Sequence, residues 1–337
     1  MNDEAINQVI NKYVKEHLSP KEKQREYISE KYVELWGFLK GSCFQTGSYA
    51  RYTAIDPVHD LDVIHPVADV SLQDNPSLVI DALYAILEEE YSASATRIKK
   101  IYRQSHSVTV EFDNATEEFS IDVVPSIELP NEQNEYKQPF YLVPEILPLN
   151  KHNRQLRYEK SVEEPIGWIK SDPRGYIKAA SDLNEKNSDF RHSAKLVKSW
   201  RHACKMNYGD DFCLKSFHLE QIVFNIFSDN EGILALDAIT EALAAIPGNI
   251  SEPQIQDRAD SERYIDDYVE GFTQEQKKLI LNLQAEAYAV VRKLSGCQTE
   301  QEVMENLDRF LAVRKKTTNS SVLPIAAPTI PRQPWSY

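Results

Sequence analysis

The spacing of the apolar residues changes partway along the chain. Several short runs, at residues 97–102, 107–112 and 118–124, alternate apolar and polar side chains, which is typical of strands with one buried face. Downstream of Pro125 the apolar residues recur every three or four positions, which predicts helices at 172–184, 191–205, 214–227, 234–246, 274–294 and 300–313. We therefore predict an α/β (α+β) fold in which a mixed or antiparallel sheet precedes a C-terminal helical domain.

The chain is long enough for two packed cores, since it has 337 residues, of which 42% are hydrophobic. Apolar residues also recur at helical spacing before the predicted strands, with a break at Pro20, and again at residues 76–91. We predict N-terminal helices at 1–40 that pack on both lobes, an α/β core at 41–160, a helical domain at 161–314 and a proline-rich tail at 315–337.

The chain is acidic, with a formal net charge of −14 and a pI near 5.1. Such a surface repels polyanions, because nucleic-acid binding depends on Lys and Arg contacts to phosphate. A nucleic-acid polymer is therefore not expected as a partner, whereas a small nucleotide carried with Mg²⁺ is compatible with a local site. Four widely spaced cysteines, with no signal peptide and no apolar run of about 18 to 20 residues, predict a cytoplasmic protein without a membrane segment.

Three acidic residues fall on predicted strands. Asp60 and Asp62 are separated by one residue, so in a strand both carboxylates point away from the core that receives Leu61. Asp122 occupies the equivalent face of a later strand. Carboxylates side by side repel each other unless a cation lies between them, and Mg²⁺ prefers carboxylate oxygen. Three such groups on adjacent strands can hold two Mg²⁺ ions, which would activate an attacking hydroxyl and stabilise a departing pyrophosphate. Taken alone, Asp-x-Asp also occurs by chance at the edge of a solvated loop.

A Gly-Ser turn precedes these acids. If a helix begins at Ser48, its free backbone N–H groups face a phosphate anion, and Gly47 allows the backbone to approach closely. The Ser48 hydroxyl can donate a hydrogen bond to the same triphosphate. A Gly-Ser turn, an Asp-x-Asp strand and a later strand-borne Asp together are much more specific than any of the three.

This order resembles the DNA polymerase β-like nucleotidyltransferase superfamily. In more detail, two segments of the sequence are similar to those of the bacterial cGAS/DncV-like nucleotidyltransferases (CD-NTases). They are Gly47-Ser48-Tyr49-Ala50-Arg51 and Ile121-Asp122-Val123-Val124-Pro125. The resemblance covers residues from about 41 to 227. It implies a polymerase β-like nucleotidyltransferase core with a C-terminal helical domain. It also implies an enzyme that joins ribonucleoside triphosphates into a cyclic di- or trinucleotide for anti-phage defence (CBASS), releasing pyrophosphate.

The resemblance assigns roles to eight residues. The catalytic and metal-binding acids would be Asp60, Asp62 and Asp122, and the nucleotide-binding residues would be Gly47, Ser48, Lys198, Ser216 and Phe217. Lys198 and Ser216 would steady the triphosphate, and the Phe217 ring would stack on a base. Without the resemblance, Lys198 would be interpreted as a solvated surface lysine and Phe217 as a core residue. One departure is Tyr52, where the family often has glycine or another small residue.

The same resemblance implies cofactors and partners. The cofactor would be two Mg²⁺ ions, for which Mn²⁺ can substitute. The partners would be ribonucleoside triphosphates including ATP, a downstream effector that responds to the cyclic product, and a regulatory protein encoded in the same operon. Activation by DNA is not expected.

Two other functions stay open at this point. One is a template-independent nucleotidyltransferase that acts on RNA or on a protein, although the Lys and Arg residues are scattered rather than grouped. The other is a non-catalytic nucleotide-binding scaffold, against which the three intact acids argue.

Overall fold

The computed structural model of the chain describes residues 1–67, 75–113, 118–146 and 166–313. The helices are α1 (Asp3–Tyr13), α2 (Glu22–Phe38), α3 (Gly47–Ala50), α4 (Pro76–Ala93), α5 (Pro173–Lys186), α6 (Asp189–Tyr208), α7 (Ser216–Asp229), α8 (Ala235–Asn249), α9 (Gln274–Leu294) and α10 (Glu300–Leu311). The strands are β1 (Phe44–Thr46), β2 (Asp60–Pro66), β3 (Ile98–Arg103), β4 (Val108–Phe112), β5 (Phe119–Gln133), β6 (Pro139–Ile146), β7 (Ile166–Ser171), β8 (Gln256–Asp257) and β9 (Asp260–Tyr264). The predicted α/β (α+β) fold class is confirmed.

The main sheet is mixed and has seven strands. Its first five strands lie in the order β1-β2-β5-β4-β3, with β2 and β5 parallel and the other pairs antiparallel. The long strand β5 does not end at Pro125, where the sequence suggested a change of character. It pairs with β2 as far as Ser126 and then with β6 from Ile127 onward, and β6 in turn pairs with β7. The sheet is therefore larger than the apolar alternation predicted.

One hydrophobic core lies under this sheet. Leu61 and Val63 of β2, with Ile121 and Val123 of β5, are fully buried, as the alternation predicted. Helices α2 and α4 cover them. The opposite face of β2 and β5 is thereby left for the acids.

A second core is helical. It unites helices α5 to α10 with α1, whose Ile6 and Ile10 are fully buried. The two N-terminal helices thus contribute to different cores, with the π-helical turn Val14–Leu18 and Pro20 between them.

The predicted boundary near residue 160 and the tail at 315–337 lie outside the described residues. None of the helices in the described ranges is both long and apolar enough to cross a bilayer.

Candidate active site

A cleft of about 470 Å³ is lined by residues from both cores. All eight residues singled out from the sequence line it, namely Gly47, Ser48, Asp60, Asp62, Asp122, Lys198, Ser216 and Phe217. They come from segments far apart in the chain, so the fold brings together what the sequence pattern grouped.

The three acids share one face of the sheet. In the parallel register of β2 and β5, Asp62 is paired with Asp122, and Asp60 is paired with Ser120 two positions earlier. Because side chains alternate along a strand, and Leu61 is fully buried on the other face, the carboxylates lie on the cleft side. The predicted grouping of acids on adjacent strands agrees with this register.

Gly47 lies directly beneath the carboxylate of Asp62. Its φ of +67° falls in the left-handed region, and a Cβ added there would lie 1.7 Å from Asp62 Oδ2. Only glycine fits this position, for reasons both of backbone conformation and of space. The Gly-Ser turn and the acid strand therefore touch each other.

Asp122 and Asp60 have different surroundings. Thr109, which faces Asp122 from β4, donates a hydrogen bond to Asp122 Oδ1, and Gln104 Nε2 donates to the same oxygen at 3.3 Å. Burial raises the pKa of Asp60, while the charges of His59 and Lys198 act to lower it. The charge on Asp60 is thus incompletely compensated, and a bound cation would favour its ionised form.

Lys198 is held within a buried ion network. Its Nζ donates to Glu220 Oε2 at 3.0 Å and to the Thr53 carbonyl oxygen at 2.9 Å. On the other side of Glu220, Arg51 Nε donates to Oε1 at 2.5 Å. The Lys198 side chain is only 5% exposed, so it is a buried cation with a dedicated anion rather than a solvated surface lysine.

The protonation of Glu220 follows from these neighbours. Burial acts to raise the pKa of Glu220, but the charges of Arg51 and Lys198 and the hydrogen bonds from Arg51 and Thr53 outweigh it and hold the pKa at about 2. Glu220 is therefore ionised at neutral pH. It joins a segment next to α3 with helices α6 and α7, on which Lys198 and Glu220 lie.

The Phe217 ring has one cationic neighbour and one aromatic neighbour. The Arg51 guanidinium lies 4.8 Å from its centroid, and Tyr176 meets it edge-on with a centroid distance of 5.2 Å and an interplanar angle of 76°. Phe217 is half-buried and lines the cleft. It is thus a supported aromatic wall and not a fully buried core residue.

Two histidines on the cleft lie close together. His59 and His202 stack with centroids 6.1 Å apart and planes 25° apart. Burial, together with the smaller effects of the His59 and Arg201 charges, lowers the pKa of His202 to about 4. His202 is therefore neutral at pH 7.

The two serines and Tyr52 occupy special backbone positions. Ser48 lies in the one-turn helix α3, which begins one residue earlier than predicted, and Ser216 is the first residue of α7. Tyr52 has φ +61° and is 66% exposed, with the Arg191 guanidinium 4.7 Å from its ring. A glycine would adopt this backbone conformation without strain. This explains why the family often has glycine at the position that Tyr52 occupies here.

Among the cleft residues that were not singled out from the sequence, Glu220, Tyr176 and Asp257 contribute most to the site. Glu220 could have been suspected, because it is an acid on the apolar face of α7 beside Leu219 and Val223. Tyr176 and Asp257 gave no local signal, since only the fold brings Tyr176 beside Phe217 and Asp257 into the lining of the cleft.

The acid face suits a hard divalent cation in its chemistry. It offers oxygen donors from three carboxylates, of which Asp60 has a raised pKa and Asp62 stands beside Asp122. Within the described ranges, no three His, Cys, Asp or Glu side chains are grouped closely enough to hold one ion as they stand.

Comparisons with known proteins agree with this arrangement. Residues 5–139 match the family model of the Second Messenger Oligonucleotide or Dinucleotide Synthetase (SMODS) domain. The matched segment contains Gly47, Ser48 and all three acids, whereas the Lys198 and Ser216 regions lie beyond it. No curated protein matches the chain in sequence.

Solved structures match nearly the whole chain in fold. Escherichia coli MS115-1 CdnC in complex with HORMA-deltaN has a TM-score of 0.65 and 15% identity over 90% of this chain and 96% of CdnC. The same CdnC with ATP has a TM-score of 0.67 and 14% identity over 91% and 98%. Vibrio cholerae DncV cyclic AMP-GMP synthase with nonhydrolyzable GTP has a TM-score of 0.57 and 14% identity over 93% and 86%.

A mixed sheet that carries three acids opposite a Gly-Ser turn, with a helical lobe across the cleft, has the polymerase β-like nucleotidyltransferase fold. The SMODS match over residues 5–139 and the fold shared with CdnC and DncV agree with the resemblance to the cGAS/DncV-like nucleotidyltransferases seen in the sequence.

Proposed function

We propose that the cleft binds ribonucleoside triphosphates and joins them into a cyclic oligonucleotide second messenger, releasing pyrophosphate. The observation that carries this proposal is the parallel register that sets Asp62 beside Asp122, with Asp60 on the same face and Gly47 in contact with Asp62. The SMODS match over this same segment supports it.

The phosphate-binding side of the cleft combines three side-chain donors with the backbone N–H groups of the Gly-Ser turn. The Ser48 hydroxyl and the backbone N–H groups of its turn face the triphosphate, and Ser216 adds a second hydroxyl. Lys198 supplies a cation whose position is fixed by Glu220 and by the Thr53 carbonyl. Phe217, supported by Arg51, stacks on a base.

The acid face is the metal-binding part of the proposal. Nucleotidyltransferases of this family depend on a divalent metal, typically Mg²⁺. Asp60, Asp62 and Asp122 would hold two Mg²⁺ ions, for which Mn²⁺ can substitute. When bound, the ions supply charge neutralisation for the reacting phosphate and lower the pKa of the attacking hydroxyl.

The bond changes are the same in each step. A ribose hydroxyl oxygen of one nucleotide attacks the α-phosphorus of another, the bond from that phosphorus to the bridging oxygen breaks, and pyrophosphate leaves. The hydroxyl proton passes to a carboxylate of the acid face. Lys198 and the serines orient the triphosphate for in-line attack. Ring closure repeats the step after the linear intermediate rebinds with its ends exchanged.

The fold relatives are compatible with these ligands. The CdnC structures contain ATP or a HORMA partner, and DncV has been solved with nonhydrolyzable GTP and with the linear intermediate pppA(3′,5′)pG. By analogy, the substrates here include ATP, the product acts on a downstream effector in anti-phage defence, and a protein encoded in the same operon regulates the enzyme in the cytoplasm.

The test is to incubate the purified chain with all four ribonucleoside triphosphates and Mg²⁺, treat with phosphatase, and identify resistant products by mass spectrometry. Wild type should give a phosphatase-resistant cyclic species that the Asp60→Asn/Asp62→Asn variant does not form. A variant at a partly exposed position outside the cleft lining, Asp182→Asn, should retain the product. A product that survives in the double variant would refute the assigned acids, and nucleotide added to RNA or to protein instead would favour the other nucleotidyltransferase hypothesis.

A further inference from the structure

The aromatic wall of the cleft is L-shaped. Phe217 and Tyr176 meet nearly at right angles, and the Arg51 guanidinium lies over the Phe217 ring. With Arg51 on one face, the other face of Phe217 is the one on which a base can stack. The edge of such a base would then extend toward the residues beside Tyr176.

A β-hairpin lies beside Tyr176. It consists of β8 and β9, and its turn residue Arg258 donates its backbone N–H to Tyr176 Oη at 3.2 Å. The Arg258 side chain is paired with Glu135 and lies 3.6 Å from Asp172 Oδ2. These contacts fix the hairpin against the wall of the cleft.

Asp257, next to Arg258, is a hairpin residue that lines the cleft and bears a carboxylate. Its Oδ1 accepts a hydrogen bond from Ala259 N at 2.9 Å. Within the described part of the chain, its Oδ2 is paired only with Arg263, at 4.0 Å, which is too long for a hydrogen bond. The side chain is 15% exposed, so the carboxylate is mostly withdrawn from water yet retains unused acceptor sites.

The direction of the Asp257 pKa shift agrees with a carboxylate that is mostly withdrawn from water. Burial raises the pKa of Asp257, and the Ala259 hydrogen bond and the Arg263 charge only partly oppose this. A ligand that brings hydrogen-bond donors to the carboxylate would therefore be favoured.

We propose that Asp257 selects guanine, by accepting hydrogen bonds from N1–H and the 2-amino group of a base stacked on Phe217. This inference rests on the proposed function, since it names the base that the same cleft binds.

The four bases differ in the donors that they bring to a carboxylate. Guanine offers two adjacent donors on its Watson–Crick edge, spaced to match the two oxygens of a carboxylate. Adenine and cytosine each offer one amino group next to a ring nitrogen that is an acceptor, and uracil offers one N–H between two carbonyl acceptors. An acceptor facing a carboxylate is repelled and leaves both groups unsatisfied, which is costly in a partly buried site.

The test compares the binding of α,β-methylene triphosphates of guanosine, inosine and adenosine to the full chain by calorimetry with Mg²⁺. Inosine differs from guanosine only by lacking the 2-amino group. Wild type should bind the guanosine compound about 10-fold more tightly than the inosine compound, as expected for one hydrogen bond to a charged group. In Asp257→Asn, which keeps the acceptor for Ala259 N, the ratio should fall to near one.

The matched control is Glu262→Gln, which makes the same chemical change at an exposed position of the same hairpin. It should keep the wild-type preference. If Asp257→Asn binds the analogues with an unchanged guanosine-to-inosine ratio, the inference is wrong and the proposed function stands. If wild type binds none of the three analogues, the proposed function itself fails, and the inference with it.

Discussion

At the scale of single residues, the contact between Gly47 and Asp62 has the sharpest consequence. Because a Cβ at position 47 would lie 1.7 Å from Asp62 Oδ2, Gly47→Ala must displace the carboxylate or the turn. A shift of about 1 Å in a reacting group can lower a rate by about 100-fold, so we expect product formation to fall by at least about that factor. The measurement is the initial rate of cyclic product formation with saturating nucleotide.

A second glycine provides the control for this substitution. Gly232 also has positive φ, +82°, but a Cβ there meets nothing within 4 Å. Gly232→Ala should therefore show the cost of the backbone conformation alone, about 1 to 2 kcal/mol of stability, with near-normal activity in the folded fraction. Equal losses of activity in the two variants would show that backbone strain, and not the clash with Asp62, is responsible.

At the scale of elements, Glu220 links α7 to α6 and to the segment after α3. A carboxyl whose pKa in the folded state is depressed stabilises the fold above its unfolded pKa and loses that effect as the pH falls. For Glu220 the relevant window runs from the ordinary value of 4.5 down to about 2. Across it we expect a loss of about 3 kcal/mol in the free energy of unfolding from this one group.

The measurement is urea denaturation of wild type and Glu220→Gln between pH 5.5 and 3. Wild type should lose stability more steeply with acidification than the variant, because the variant has no carboxyl to protonate at this position. At pH 7 the variant should be destabilised by about 3 to 5 kcal/mol, since Arg51 and Lys198 would be left without their counter-ion. Parallel pH profiles would place the acid sensitivity elsewhere in the molecule.

Elements with a strong apolar period could be predicted from the sequence, and those without it could not. Strands β2 and β4 alternate cleanly, and α6 to α10 have well-defined apolar faces, so both groups could be predicted. Strand β6 was missed because Pro139 and Pro144 are typical of edges and loops, yet β6 lies between β5 and β7. The hairpin β8–β9 is short and polar, so nothing in its local pattern distinguishes it from a loop.

The same distinction applies to the candidate site. Asp60 and Asp62 are close in sequence, and their strand alternation alone predicts a shared face. The position of Lys198 is fixed by its hydrogen bond to Glu220, and that of the Phe217 ring by its contact with Tyr176. Such pairs form only when separate helices pack. Their proximity to the acids followed from resemblance to a family and not from local physics.

At the scale of the whole molecule, the net charge of −14 bears on activation. Double-stranded DNA should not raise the rate of product formation at 50 mM or at 150 mM salt, because an acidic surface repels a polyanion and screening only weakens that repulsion. Product is measured with and without a DNA duplex of about 50 base pairs, with a heparin control. A stimulation that declines with added salt would contradict this expectation and reveal a local basic groove.

The space shared by Gly47 and Asp62 also limits how a lineage of such enzymes can change. Every amino acid other than glycine carries a Cβ, so no single substitution at position 47 is tolerated while Asp62 keeps its present place. Moving Asp62 first would remove a proposed metal ligand before any benefit could arise. Each of the two residues thus restricts substitution of the other, and changes of specificity are left to positions around this pair, such as the aromatic wall and the hairpin beside it.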